Sequence, residues 1–187
     1  MNYRNRYHKT AARTNARGFT NLQITLGLAI VAIAIVAALG GFRKLDEAGV
    51  NAAIDEVSDL KVQTVKYAAQ RGGDFTGVDT NLCANKWFDS DRITGTGAST
   101  TINNKFKGTI TCQPATSTST NDSLTFTYTG IPAVACIGIT SSVTKAAVIA
   151  VGGTTVKPLG GNLNESSAIT QCNAANDNAT IAFTFTR

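Results

Sequence analysis

Four cysteines are the residues whose type and spacing most clearly indicate chemistry in this chain. Their separations of 29, 24 and 36 residues fit neither the paired hooks of a zinc site nor a CxxC redox centre. An even number of cysteines in an exported domain favours disulfides, and four cysteines allow three pairings. We therefore predict structural disulfides, the alternative being four buried thiols in a cytosolic protein. The residues are Cys83, Cys112, Cys136 and Cys172.

Residues for catalysis are few. His8 is the only histidine and lies in a basic N-terminal segment, so the rest of the chain cannot form a Ser–His, Cys–His or histidine–metal site. The neighbouring carboxylates Asp55 and Glu56 are typical of a solvated surface. Asp89 and Asp91 lack the further oxygen ligands of a calcium loop. We predict that the protein is not an enzyme and needs no cofactor or metal.

The positive charge is concentrated at the N-terminus. The first 18 residues contain five basic side chains and no acidic one. Removing these five from the 17 basic residues leaves twelve, which equals the number of acidic residues. A nucleic-acid-binding surface needs cations clustered on the folded body. We therefore expect no such cluster and no direct binding of nucleic acid. The five residues are Arg4, Arg6, Lys9, Arg13 and Arg17.

An uncharged segment of 25 residues lies between Arg17 and Arg43. Its apolar part, residues 24–42, approaches the roughly 20 residues that a helix needs to cross a bilayer. A basic segment before an apolar one favours a cytoplasmic N-terminus with the following domain outside. Small residues four apart, such as Ala34 and Ala38, let neighbouring helices approach closely. A single membrane anchor and a helix that assembles with other copies both remain possible.

The helical pattern continues past this segment without a proline. Apolar residues at three- and four-residue spacing predict an amphipathic helix that extends to about Gln70. Arg71, Gly72 and Gly73 then provide a basic last turn followed by glycine, which is a common helix end. The predicted apolar stripe consists of Val50, Ile54, Val57, Val65 and Ala68, with Lys61 in register.

The remaining sequence is typical of a β-rich domain. Alternation around Phe126 and Phe183 predicts two half-buried strands, and residues 105–111 a weaker third. Residues 146–157 resemble a hairpin around Gly152-Gly153. Residues 132–143 fit either a short helix that begins at proline or another strand. The predicted fold is α+β: a long N-terminal helix, whose first half spans the membrane, packs against an antiparallel sheet.

Gly18-Phe19-Thr20, after a short basic leader and before the apolar segment, resembles the processing site of type IV prepilins. The body is similar to the type IVb branch, especially the thin-pilus pilins of conjugative systems. Residues 67–78 are similar to that branch's helix exit, residues 130–136 to the start of its C-terminal region, and residues 172–185 to its close.

The resemblance implies a role for several residues. A prepilin peptidase would cut after Gly18 and commonly N-methylate Phe19. Cys136 and Cys172 would form the family's C-terminal-region disulfide, which leaves Cys83 and Cys112 as a second pair. Gln23 stands where the family usually has the glutamate that meets a neighbouring subunit's N-terminal amine. An amide can accept this hydrogen bond but carries no compensating charge.

The resemblance also implies the organisation of the chain. Residues 1–18 would be the leader, 19–42 the membrane-spanning and assembly half of the helix, 43–71 its amphipathic half, and 72–187 the globular pilin domain. The protein would be a structural subunit of an extracellular type IV pilus used in adhesion, conjugation or DNA uptake. It would wait in the inner membrane, with its N-terminus in the cytoplasm and its domain in the periplasm. Its partners would be prepilin peptidase, the pilus assembly machinery and copies of itself.

Two alternatives remain. A pseudopilin of a secretion system would be built in the same way, although the cysteines and threonine-rich loops favour a pilin. A secreted, disulfide-bonded binding domain would instead lose residues 1–40 as a signal peptide, because Ala38-Leu39-Gly40 fits a small-x-small cleavage site. The helical pattern runs through that site, which argues against cleavage there.

Overall fold

The computed structural model describes residues 47–187. Helix α1 covers residues 47–70 of this part, and seven strands and three further helices follow. Two short 3₁₀ turns lie at Ser90–Arg92 and Gly97–Ser99. The later helices are α2 (Thr80–Trp87), α3 (Ala133–Ser142) and α4 (Glu165–Ala174). The strands are β1 (Ile93–Thr94), β2 (Thr101–Asn103), β3 (Thr109–Ala115), β4 (Ser123–Ile131), β5 (Val148–Val151), β6 (Thr154–Lys157) and β7 (Ala179–Thr186).

The seven strands form one antiparallel sheet in the order β1-β2-β3-β4-β7-β5-β6. The first four strands follow the chain order. Strand β7, the last in sequence, inserts between β4 and β5 and so joins the two halves of the sheet. The sheet depends on this strand for its continuity.

Alternation along β4 and β7 determines which face of the sheet is buried. Apolar side chains point to one face and threonines to the other, where the hydroxyl groups of Thr125 and Thr184 lie 2.7 Å apart. Because the register places apolar residues opposite each other, the buried face carries cross-strand pairs that stabilise the sheet. These pairs are Leu124 with Phe185, Phe126 with Phe183, and Tyr128 with Ile181.

Helix α1 contributes its own stripe to the same hydrophobic core, which confirms the prediction of a helix packed on an antiparallel sheet. Two glycines allow close packing around it. A Cβ on Gly49 would lie 3.2 Å from the Phe106 ring, and one on Gly138 of α3 would lie 3.2 Å from Val50. The buried stripe consists of Ala53, Val57, Leu60, Thr64, Tyr67 and Ala68. The predicted membrane-spanning half of the helix lies outside the described residues.

The helix ends at Gln70, where the sequence predicted its end. Gly72 and Gly73 adopt positive φ angles of 63° and 85°, and the Gly73 N–H donates to the Ala68 carbonyl at 2.8 Å. This is the arrangement of a Schellman cap, for which glycine carries no steric cost.

The predicted apolar stripe of α1 is displaced to one side of the buried stripe. Val57 and Ala68 belong to both, but Val65 is 42% exposed and Lys61 lies at the edge of the domain. Thr64 occupies a fully buried position in the stripe. Its hydroxyl is tolerated there because it donates to the Leu60 carbonyl at 2.7 Å. A pattern based on apolar residues alone missed this threonine.

The strand predictions hold with one correction. The strands around Phe126 and Phe183 and the hairpin at Gly152-Gly153 are confirmed, and residues 133–142 form a helix rather than a strand. The third strand begins at Thr109, not at residue 105, because the preceding residues form a turn in which Lys107 has a φ of 67°. Helices α2 and α4 were not predicted.

Candidate assembly surface

The four cysteines form two disulfides, as predicted. Cys83 of α2 bonds to Cys112 of β3, with a Cα–Cα distance of 6.4 Å. Cys136 of α3 bonds to Cys172 of α4, with a Cα–Cα distance of 5.7 Å. All four side chains are buried. One bridge therefore ties the segment after α1 to the sheet, and the other ties together the two helices of the C-terminal region.

A polar network attaches α1 to the sheet. The Tyr128 hydroxyl of β4 donates to Glu56 Oε1 of α1 at 2.9 Å, and Arg92 pairs with the other oxygen of Glu56. Arg92 Nε also donates to the Asn103 carbonyl at 2.8 Å. Burial raises the pKa of Tyr128 well above its usual value, and the adjacent Glu56 carboxylate adds to this effect. The hydroxyl therefore stays protonated and acts as a donor.

The expectation that Glu56 belongs to a solvated carboxylate pair is wrong. Its side chain is only 14% exposed, whereas its neighbour Asp55 is an exposed residue. The two carboxylates point apart because consecutive helical residues are about 100° apart around the axis. The sequence did contain a signal for this burial. Glu56 lies three residues after Ala53 and four before Leu60, and therefore next to the helix face that carries the buried stripe.

On the other side of α1 the domain leaves a groove uncovered. It runs between α1 and the segment that links α3 to β5, with a volume of about 560 Å³, and continues past Phe185 toward Leu159. Its floor is apolar, formed by Val57, Val143 and Phe185. Val62 and Val65 on its edge are 49% and 42% exposed.

Lysines surround this groove, which we call the lysine groove. Four lysines line it, and Asp59 is the one acidic residue among the side chains that line it within the described chain. The prediction that the body lacks a cluster of cations is therefore wrong. The four residues are far apart in sequence and are brought together only by the fold, so a count of charges along the chain could not reveal them. They are Lys61, Lys66, Lys145 and Lys157.

Within residues 47–187 no group of three or more His, Cys, Asp and Glu side chains could hold a metal ion. Asp89 and Asp91 flank the first residue of a 3₁₀ turn and form no such group. In the same part of the chain no helix is long and apolar enough to cross a membrane. The predicted cleavage site at Gly18 and Phe19 and the predicted assembly contact at Gln23 lie outside the described residues.

The long helix packed on an antiparallel sheet, with a disulfide in the C-terminal region, is the fold of the type IV pilins. The chain is similar to a type IVb pilin from Salmonella typhi, with 18% identity and a TM-score of 0.54 over 72% of this chain and 97% of that one. It is also similar to TcpA, a type IV pilin from Vibrio cholerae El Tor biotype, with 13% identity and a TM-score of 0.52 over 73% and 98% of the two chains. A search of the curated proteins found no match to this sequence.

The model of the PilS N-terminal family matches residues 47–186, so the chain belongs to this family. The resemblance to type IVb pilins that the sequence carries is thus confirmed. The residues named above for the two disulfides, the polar network and the lysine groove all lie within this matched range.

Proposed function

We propose that this protein is the structural subunit of an extracellular type IV pilus. The observation that carries the proposal is the family match over residues 47–186, together with a pilin fold in the same residues. The buried side chains of the domain serve packing, and its distinctive surface feature is a groove suited to contact with another macromolecule.

The N-terminal segment supplies the second part of the proposal. Residues 1–18 form a leader that prepilin peptidase removes after Gly18, so that Phe19 becomes the first residue of the mature chain. The uncharged residues 19–42 hold the subunit in the inner membrane before assembly, with the globular domain in the periplasm. In the filament the same residues pack against those of neighbouring copies, because lipid provides no hydrophobic advantage over close packing of small residues.

Gln23 distinguishes this chain from the usual pattern of the family it resembles. In the filament its amide accepts a hydrogen bond from the Phe19 amine of a neighbouring subunit, without a charge to offset that of the amine. We propose that contacts between the globular domains therefore supply a larger share of the association free energy. The pilus assembly machinery is the further partner, and the filament acts in adhesion, conjugation or DNA uptake.

Sequencing the N-terminus of the mature protein tests this proposal. A mature chain that starts at Phe19 supports it, because the apolar helix then survives processing. A start at Gly41 contradicts it and favours a secreted binding domain whose signal peptide has been removed.

Shearing separates a pilus from a pseudopilus. Fibres that contain this chain should be released from the cell surface into the sheared fraction. If the chain instead remains wholly with the cell envelope, while its N-terminus is Phe19, the pseudopilin of a secretion system becomes the better assignment.

A further inference from the structure

Among the described residues, five large apolar side chains are exposed: three along the lysine groove, Ile169 on α4 and Val134 on α3. Val62, Val65 and Leu159 lie along the lysine groove, at 49%, 42% and 45% exposure. Ile169 lies on α4 and is 42% exposed. A contiguous exposed apolar patch is a mark of a surface that contacts another macromolecule, and Val62 and Val65, three residues apart on α1, are neighbours of this kind.

The groove combines this apolar surface with positive charge. Lys145 and Lys66 are exposed, and no salt bridge joins either of them to an acidic group in the described part of the chain. The Lys157 ammonium donates to the carbonyls of Thr144 and Ala146 at 2.7 and 2.5 Å, which fixes its charge at the groove wall. A fitting occupant therefore presents an apolar side chain with a carboxylate beside it.

Helix α4 presents this pair. Glu165 and Ile169 are four residues apart, so they lie on the same face of the helix, and both are exposed. The Asn164 side chain caps this helix by accepting from the Ser167 N–H at 3.0 Å, which fixes the first turn where Glu165 lies. The disulfide between Cys136 and Cys172 holds the other end of α4 against α3.

Within one copy α4 does not reach the groove, because no residue of α4 lines it. A contact between α4 of one copy and the groove of the next joins two different surfaces. Such a head-to-tail contact repeats from copy to copy and produces a ring or a helical filament rather than a closed pair. A polyanion such as DNA would pair with the lysines but would leave Val62 and Val65 without an apolar partner.

We propose that the lysine groove receives α4 of a second copy of this chain, with Ile169 against Val62 and Val65 and Glu165 near Lys145. This inference rests on the proposed function, since it identifies one contact of the filament. It adds which residues are in contact, the head-to-tail direction of the contact, and the apolar and charged pairs that make it specific.

A charge exchange tests the contact in cells that shed fibres. Lys145→Glu and Glu165→Lys should each reduce the amount of this chain in the sheared fraction by about tenfold, because each places like charges opposite one another. The double variant should recover most of the wild-type yield, since the pair is re-formed with its signs exchanged. Lys107→Glu and Asp177→Lys, which change exposed residues outside the groove and outside α4, are the matched controls and should shed normally.

Cross-linking provides a second measurement that does not depend on charge. In fibres built from copies that carry Val65→Cys and Ile169→Cys together, oxidation should yield covalent multimers on a non-reducing gel. The pair Val65→Cys and Lys107→Cys should remain monomeric.

The outcomes separate this inference from the function on which it rests. If wild-type cells never shed the chain, the proposed function fails and the inference fails with it. If wild-type fibres are shed and Lys145→Glu sheds equally well, or the double variant shows no recovery, only the docking of α4 is overturned. Normal shedding by Lys145→Glu combined with lost retention on heparin would instead assign the groove to a polyanion.

Discussion

At the scale of single residues, the turn before β3 packs so closely on β4 that a side chain at Gly108 would clash with the backbone. A Cβ on Gly108 would lie 1.8 Å from the Thr129 carbonyl oxygen, and a Cβ on Gly130 would lie 2.9 Å from Gly108 Cα. The chain crosses the end of β4 here, where the Asn104 side chain donates to the same carbonyl at 2.7 Å. Two glycines and an asparagine therefore hold the turn before β3 against β4.

Gly108→Ala should destabilise the domain by about 2–3 kcal/mol, because a backbone atom rather than a flexible side chain must move to admit the new methyl group. Chemical denaturation of the purified domain measures the change. Gly49→Ala is the matched control and should cost less, since its Cβ would lie 3.2 Å from the Phe106 side chain rather than 1.8 Å from a backbone oxygen. Equal midpoints for Gly108→Ala and wild type would contradict the steric argument.

Asp122 is a second residue with a local structural role. It is 4% exposed, and its carboxylate accepts from the backbone N–H groups of Ser117, Thr118 and Ser119. The hydroxyl groups of Thr118 and Ser123 donate to it as well. These hydrogen bonds, that of the Thr118 hydroxyl above all, hold the pKa of Asp122 well below its usual range. The ionised carboxylate thus organises the loop before β4.

Asp122→Asn should lower the melting temperature at neutral pH, and the difference from wild type should shrink in acid. A depressed pKa contributes stability above the unfolded-state value of about 3.9, and this stability is lost as the pH falls toward the folded-state pKa. Melting temperatures at pH 7 and pH 3 measure it. A difference that stays constant between the two pH values would exclude the carboxylate charge as the cause.

At the scale of elements, α1 is held to the sheet by polar as well as apolar contacts. Glu56 lies between Tyr128 and Arg92, so one carboxylate connects α1 to β4 and to the turn before β1. Breaking a largely buried ion pair leaves a charge without a partner, which costs more than the pair itself contributes. The network thus fixes the position of α1 along the sheet.

Glu56→Ala should cost about 3 kcal/mol in the free energy of unfolding, and Tyr128→Phe about 1 kcal/mol. Tyr67→Phe is the matched control, because the buried Tyr67 hydroxyl has no hydrogen-bond partner among residues 47–187 and its loss should be neutral. Denaturant titration measures all three variants. If Glu56→Ala is no more harmful than Tyr67→Phe, the network does not hold the helix.

Elements whose apolar residues follow a simple period could be predicted from the sequence, and the others could not. Strand β4 alternates cleanly, and the end of α1 is marked by Gly72 and Gly73. Helix α2 has only Cys83 and Ala84 as buried residues, and α4 only Ala168 and Cys172. Each depends on a disulfide and an N-terminal cap rather than on an apolar stripe. The groove depends on contacts between residues distant in sequence, such as Lys61 and Lys145.

At the scale of the whole molecule, each disulfide closes a long segment of the domain. The bridge from Cys83 to Cys112 closes 29 residues of loop and short elements, and that from Cys136 to Cys172 closes 36. The first bridge ties α2 to β3, and the second ties α3 to α4. Both covalent links lie in the buried core of the domain.

Replacing both members of either pair by serine should lower the free energy of unfolding by about 3–4 kcal/mol, because the unfolded chain regains the freedom that the bridge removed. Loss of the bridge from Cys136 to Cys172 should in addition reduce the fibre yield, since it holds α4 in place. Unfolding of each variant with and without reductant measures the effect. Equal stability of wild type before and after reduction would contradict it.

The position of β7 has a consequence for biogenesis. Its hydrogen-bonding partners, β4 and β5, are made earlier but have no direct contact as neighbours in the sheet. A nascent or partly translocated chain lacks the strand that joins them, so its two half-sheets stay open along their edges. Completion of the domain therefore waits for the last segment to emerge, and a chain truncated before residue 179 should be degraded rather than stored.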